Sequence, residues 1–142
     1  MLGLLVVTHG RLAEELVNAT KTIVKDAKSI EGLSIGWDDE VGDATERIEK
    51  AIRRVDCGQG VLVLTDMFGG TPTNIALSLL EVDTIEIVTG VNLPMLIKFT
   101  NLEEETSLQD AAARLAEQGK NAIQVASQLL ENSSEGPAGD DG

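Results

Sequence analysis

Histidine and cysteine each occur once in this 142-residue chain, and the absence of a second histidine or a cysteine pair removes several chemistries at the outset. Cys57 alone can form no intramolecular disulfide and has no companion at metal-ligand spacing, so neither a disulfide scaffold nor a metal site is expected, and a reducing cytosol suits the chain. No apolar run reaches the roughly 20 residues that a membrane helix needs. The opening MLGLLVVTHGR lacks both the basic region and the small-residue cleavage site of a signal peptide, so a cytoplasmic protein is expected. The Gly-Lys-Ser/Thr ending of a phosphate-binding loop is missing, and Gly58 and Gly60 precede a strand instead of following one, which argues against a nucleotide site. Basic residues are scarce: 11 against 24 acidic ones, a net charge of −13 that repels nucleic acid and steers partners with a basic face. Four of the acidic residues, Glu131, Glu135, Asp140 and Asp141, follow the last basic one, Lys120.

What is present is a recurring strand-helix unit. Leu2 to Thr8 is a continuous apolar run with β-branched members, the pattern of a strand covered on both faces. After His9 and Gly10 the period lengthens, and Leu12, Leu16, Val17, Thr20, Ile23 and Val24 mark one face of a helix. A short strand over Leu33 to Trp37 and a helix striped by Ile48, Ala51, Ile52 and Val55 follow, with Asp43 and Glu46 resembling its capping box. Gly60 to Thr65 is a third strand, Thr71-Pro72 opens the next helix, and Thr84 to Thr89 is a fourth strand. Asn92 and Pro94 open a short helix, and Ser107 with Asp110 begins a longer one. This alternation predicts a doubly wound α/β domain: a mainly parallel four-stranded sheet with helices on both faces. Residues 121–130 fit either a strand or a helix, because Ile123 and Val125 alternate while Val125 and Leu129 keep helical spacing. The domain is expected over 1–130, with 131–142 a disordered acidic tail.

In such a sheet, ligands bind beyond the carboxyl ends of the strands, where the strand order reverses. If the order is 2-1-3-4, His9 at the end of the first strand faces Asp66 at the end of the third. An imidazole attacks phosphorus only through an unprotonated nitrogen, and a carboxylate on the other nitrogen fixes that tautomer. Asp66 serves equally well as a turn cap, so the pairing with His9 is what distinguishes the two readings. Backbone N–H groups of Gly69 and Gly70, with Thr71 at a helix start, can bind phosphoryl oxygens; the same string also makes an ordinary tight turn. Trp37 and the methionines read as packing residues.

Three segments together, LLVVTHG at 4–10, TDMFGGTPTN at 65–74 and GVNLPML at 90–96, resemble the IIA components of the mannose-type (mannose/fructose/sorbose) sugar phosphotransferase system, over nearly all of the chain to about Gly119. Gly10, where the branch serving dihydroxyacetone kinase usually has serine, and the third segment favour the mannose branch. The resemblance implies a phosphotransferase with no cofactor and no metal. His9 would accept a phosphoryl group from the phosphocarrier HPr and pass it to a separate IIB component, with Asp66 as the pairing carboxylate. Gly10, Gly69, Gly70 and Thr71 would surround the phosphoryl group, and Phe68, Asn92 and Pro94 would wall the site. It further implies a homodimer, with a C-terminal antiparallel strand swapped into the partner's sheet, that meets the membrane only indirectly through a permease complex. The alternative is a regulatory module whose phosphorylation controls another protein and moves no sugar.

Overall fold

The computed structural model describes residues 1–81 and 83–134. Its elements alternate as β1 (Gly3–His9), α1 (Leu12–Ile23), β2 (Ile30–Ile35), α2 (Val41–Val55), β3 (Val61–Thr65), α3 (Thr71–Ser78) and β4 (Ile85–Thr89), followed by α4 (Leu93–Thr100), α5 (Leu108–Asn121) and α6 (Ala126–Ser134). The four strands form one parallel sheet in the order β2-β1-β3-β4. The sequence-based fold class and strand order are therefore observed.

The apolar run of β1 has no polar alternation because both of its faces are covered. Leu4 and Val6, with Leu62 and Leu64 of β3, pack beneath Ala13 and Val17 of α1 and the apolar faces of α4 and α5. Leu5 and Val7, with Val61 and Val63, pack on the other face against Ile48, Ala51, Ile52 and Val55 of α2 and against Ile75 and Ala76 of α3. Leu4, Leu5, Val6 and Val7 are wholly buried. Side chains of this kind each contribute about 1.5–3 kcal/mol on leaving water, which makes β1 the most heavily anchored strand.

The chain leaves β1 through α1 to β2 on one side, then returns through α2 to β3 on the other. The reversal opens a crevice at the carboxyl ends of β1 and β3. Register aims both ends at it: Val7 pairs with Thr65, so His9 and Asp66 emerge side by side.

Several boundaries differ from the expected ones. β2 runs from Ile30 to Ile35, leaving Trp37 beyond it in a loop. The Asp43–Glu46 capping box does not form, because α2 starts earlier, at Val41, with Glu40 at its N-cap; Asp43 instead lies in the first turn, where its charge suits the helix dipole. Ser107 does cap α5, its hydroxyl accepting from the Asp110 N–H at 3.1 Å. The ambiguous stretch near the C-terminus resolves as a helix from Ala126, with no strand there among the described residues. α6 continues through Ser134, and the rest of the expected acidic tail, 135–142, lies outside the described residues. Among the described residues, no helix is long and apolar enough to cross a membrane.

Candidate active site

The site is built from two strand ends. At the first, the wholly buried Thr8 uses its hydroxyl to accept the Ala13 N–H at 2.7 Å, which ties the start of α1 to the end of β1. Gly10 turns the chain between them at φ 57°, a conformation that glycine adopts without a Cβ penalty. Its N–H is donated to the Ile35 carbonyl at 3.0 Å. That donor is therefore occupied in the unphosphorylated chain, where Gly10 supplies the turn.

At the second strand end, Asp66 crosses to His9. One carboxylate oxygen, Oδ2, accepts both the His9 backbone N–H at 3.0 Å and the ring at Nδ1, 2.8 Å away. Both side chains are largely covered, His9 19% and Asp66 15% exposed. Burial pushes the Asp66 carboxyl up, but the backbone N–H of His9, its ring N–H and the ring's charge when protonated outweigh that and hold the carboxyl below its usual range. An ionised carboxylate can only accept, so Nδ1 is the donor, and in the neutral ring Nε2 keeps its lone pair. The other oxygen of Asp66, Oδ1, is buried and has no partner among the described residues.

Beyond Asp66 the chain passes through Met67 and Phe68, 55% and 76% exposed, to Gly69 and Gly70 at φ 83° and 90°. Gly70 is the N-cap of α3, and Thr71 opens the helix as its first residue. A Cβ on Gly70 would lie 3.0 Å from Cε1 and 3.4 Å from Nε2 of His9, so only glycine brings this backbone to the free ring nitrogen without displacing the ring. Among the described residues the N–H groups of Gly69, Gly70 and Thr71 donate to nothing, and Asn74 is the first of α3 to bond back, to the Gly70 carbonyl. The loop is pinned from within by Thr73, whose buried hydroxyl bonds the Thr65 hydroxyl at 2.7 Å and the Met67 carbonyl.

Of the residues singled out from the sequence, His9, Asp66 and Gly70 are brought together, and Gly69, Thr71 and Phe68 lie on the same loop and helix start. Asn92 is the N-cap of α4, its side-chain amide donating to the Gly119 carbonyl of α5 at 3.1 Å, with Pro94 in the first turn. Among the described residues Asn92 makes no hydrogen bond to His9 or Asp66. Sequence reasoning missed Thr8, Thr65 and Thr73 as supports; for Thr8 and Thr65 the available signal is a hydroxyl at the carboxyl end of an otherwise apolar strand, whereas Thr73, inside α3, carries none. Trp37, read as a packing residue, is 79% exposed and stacks on the His9 ring, with centroids 4.8 Å apart and planes 18° from parallel.

With this geometry in place, comparison with known proteins decides the family. A family model described as "PTS system fructose IIA component" matches residues 3–116. The chain belongs to this family. The fructose-specific EIIA component of the phosphotransferase system of Bacillus subtilis (strain 168) is 27% identical over 132 residues, covering 92% of this chain and 90% of that protein. The mannose-specific EIIAB component of Escherichia coli (strain K12) is 28% identical over 131 residues, which are 87% of this chain but only 39% of that longer protein. Among solved structures, a IIA protein associated with a fucose utilization operon of Streptococcus pneumoniae superposes with a TM-score of 0.80 at 26% identity, covering 91% of this chain and 96% of that one. As a IIA component of the mannose type, the chain takes part in a phosphotransferase system.

The Asp66 bonds make the fold sensitive to acid. Because the folded carboxyl titrates below its unfolded value of about 3.9, its stabilisation is complete above that pH and is lost as pH falls through the folded value. In urea unfolding, the stability advantage of wild type over Asp66→Asn is expected to be constant near neutral pH and to shrink below about pH 4. An advantage that persists unchanged to about pH 3 would contradict the assignment.

Proposed function

We propose that this chain is a phosphoryl relay, in which His9 takes a phosphoryl group from the phosphocarrier HPr and hands it to a IIB component. The observation that carries the reading is the ring itself: Nδ1 is tied to Asp66 at 2.8 Å while Nε2 lies beside Gly70 with no partner among the described residues.

In the forward step the Nε2 lone pair attacks the phosphorus of the carrier's phosphohistidine. The carrier's P–N bond breaks and its electron pair returns to the carrier ring; the new P–N bond forms on His9. No proton need move, since His9 keeps its Nδ1 proton throughout. Positive charge accumulates on the ring, and the ionised Asp66 stabilises it through the Nδ1–H bond. The three equatorial phosphoryl oxygens gather charge in a loose transition state. The unoccupied N–H groups of Gly69, Gly70 and Thr71, at the positive end of α3, suit those oxygens, and the Thr71 hydroxyl is within the same stretch. Phe68 forms an exposed apolar rim, and the chain's acidity favours a carrier with a basic face. Transfer to the IIB component repeats the step with the roles reversed. This reading places the protein in the cytoplasm, where it would reach the membrane only through a permease complex.

The reading also includes a homodimer. β4 is an edge strand paired only to β3, and Ile123, Val125, Leu129 and Leu130 are 76%, 56%, 52% and 71% exposed. Apolar side chains concentrated on one terminal segment beside an open sheet edge suit a second copy of the chain.

Incubation with phosphorylated HPr is expected to add one acid-labile phosphoryl group, mapped by mass to His9 and absent in His9→Ala. Asp66→Asn is expected to slow labelling by about 10²-fold or more while the variant stays folded. Labelling of His9→Ala, or wild-type rates in Asp66→Asn, would refute the relay or the role of the carboxylate. For the dimer, sedimentation should give twice the chain mass, with a shift to monomer in an Ile123→Asp, Leu130→Asp variant of native circular dichroism; a monomeric wild type at tens of micromolar, roughly the range of a functional homodimer, would exclude it.

A further inference from the structure

We infer that Trp37 is a positioning residue for phosphoryl transfer, an inference that rests on the relay reading above: it fixes the plane of the His9 imidazole and stabilises the charge that the ring acquires. The only tryptophan in the chain, it is 79% exposed, an exposure that packing does not explain in so large an apolar side chain. Its single ring contact among the described residues is His9.

The loop that presents it is tied down for the purpose. His9 pairs in register with Ile35, so a residue just past the end of β2 emerges beside the imidazole. The turn from Gly36 is closed by Asp39, whose Oδ2 accepts the Gly36 N–H at 2.7 Å and an Arg47 N–H at 3.0 Å. The same guanidinium donates to the Ser34 carbonyl at 3.1 Å, joining α2, the loop and β2. A Cβ on Gly36 would meet Asp39 Oδ1 at 2.8 Å. Trp37 is thus held over His9 by polar bonds on either side of it, while its own side chain remains mostly in solvent.

A stack supplies what Asp66 cannot. A single bond at Nδ1 limits the ring but leaves coupled rotation about the Cα–Cβ and Cβ–Cγ bonds, which would tilt the ring and carry Nε2 away from Gly70. A flat neighbour on one face removes that freedom. When Nε2 bonds phosphorus and Nδ1 keeps its proton, the ring is cationic, and the electron-rich face of an indole attracts it.

Two measurements test this. Trp37 emission reports the stack without any carrier: at one fixed pH, wild-type emission should differ in intensity from that of His9→Gln and of His9→Ala, each of native circular dichroism, because each removes the stacked ring. Emission alike in wild type and both variants would overturn the stack. In single-turnover labelling, Trp37→Leu should lower the maximal rate by about fivefold or more, with the half-saturating HPr concentration unchanged and Trp37→Phe recovering most of the rate. A wild-type maximal rate in Trp37→Leu, or an effect confined to the half-saturating concentration, would overturn positioning, the latter in favour of a docking contact. No labelling of wild type, alongside the expected emission difference, would instead overturn the relay reading and the positioning role with it.

Discussion

Two hydrogen bonds from one residue converge on a single carboxylate oxygen: the backbone N–H and the ring N–H of His9 both reach Oδ2 of Asp66. The first anchors the carboxylate to the end of β1, so that its position is set by the sheet and not by side-chain rotamers alone. The second then fixes which imidazole nitrogen holds the proton. Burial alone would push the carboxyl up, and these bonds are also what bring it below its usual range. The availability of Nε2 therefore depends on strand register: a slip of one residue between β1 and β3 would turn His9 to the other face of the sheet.

The fold meets this demand by overdetermining β1. Its central residues are buried on both faces, and its end is held by Thr8 to α1 and by the Gly10 N–H to β2. The opposing loop is given the contrary character. Two glycines with positive φ and a helix start without acceptors for its first N–H groups leave polar backbone unsatisfied beside the ring. Unpaired donors of this kind cost stability unless water or a ligand takes them, and their concentration next to the imidazole is the feature on which the proposed phosphoryl site rests.

The sequence made the sheet legible because its signals are non-local only through topology. Continuous apolar runs identify strands buried on both faces, alternation with helices implies parallel pairing, and the order 2-1-3-4 brings His9 to Asp66 without any contact having to be guessed. Signals that depend on tertiary placement were harder to read. Trp37 looks like a core aromatic until β2 is seen to end at Ile35, which moves it from the sheet into a polar-tethered loop. Asp43 and Glu46 have capping-box spacing, but the helix extends one turn further toward its N-terminus than that spacing implied. Residues 121–130 carried both periods, and among the described residues Ile123, Val125, Leu129 and Leu130 remain largely exposed, so no close packing on the sheet selects one period from the sequence.

The most direct measurement is the nitrogen NMR spectrum of the His9 ring, which is free of overlap because the chain has no other histidine. In the unphosphorylated protein with the ring neutral, the account expects a protonated Nδ1 and a bare, pyridine-like Nε2. A proton on Nε2, or two nitrogens averaged by rapid exchange between tautomers, would contradict it.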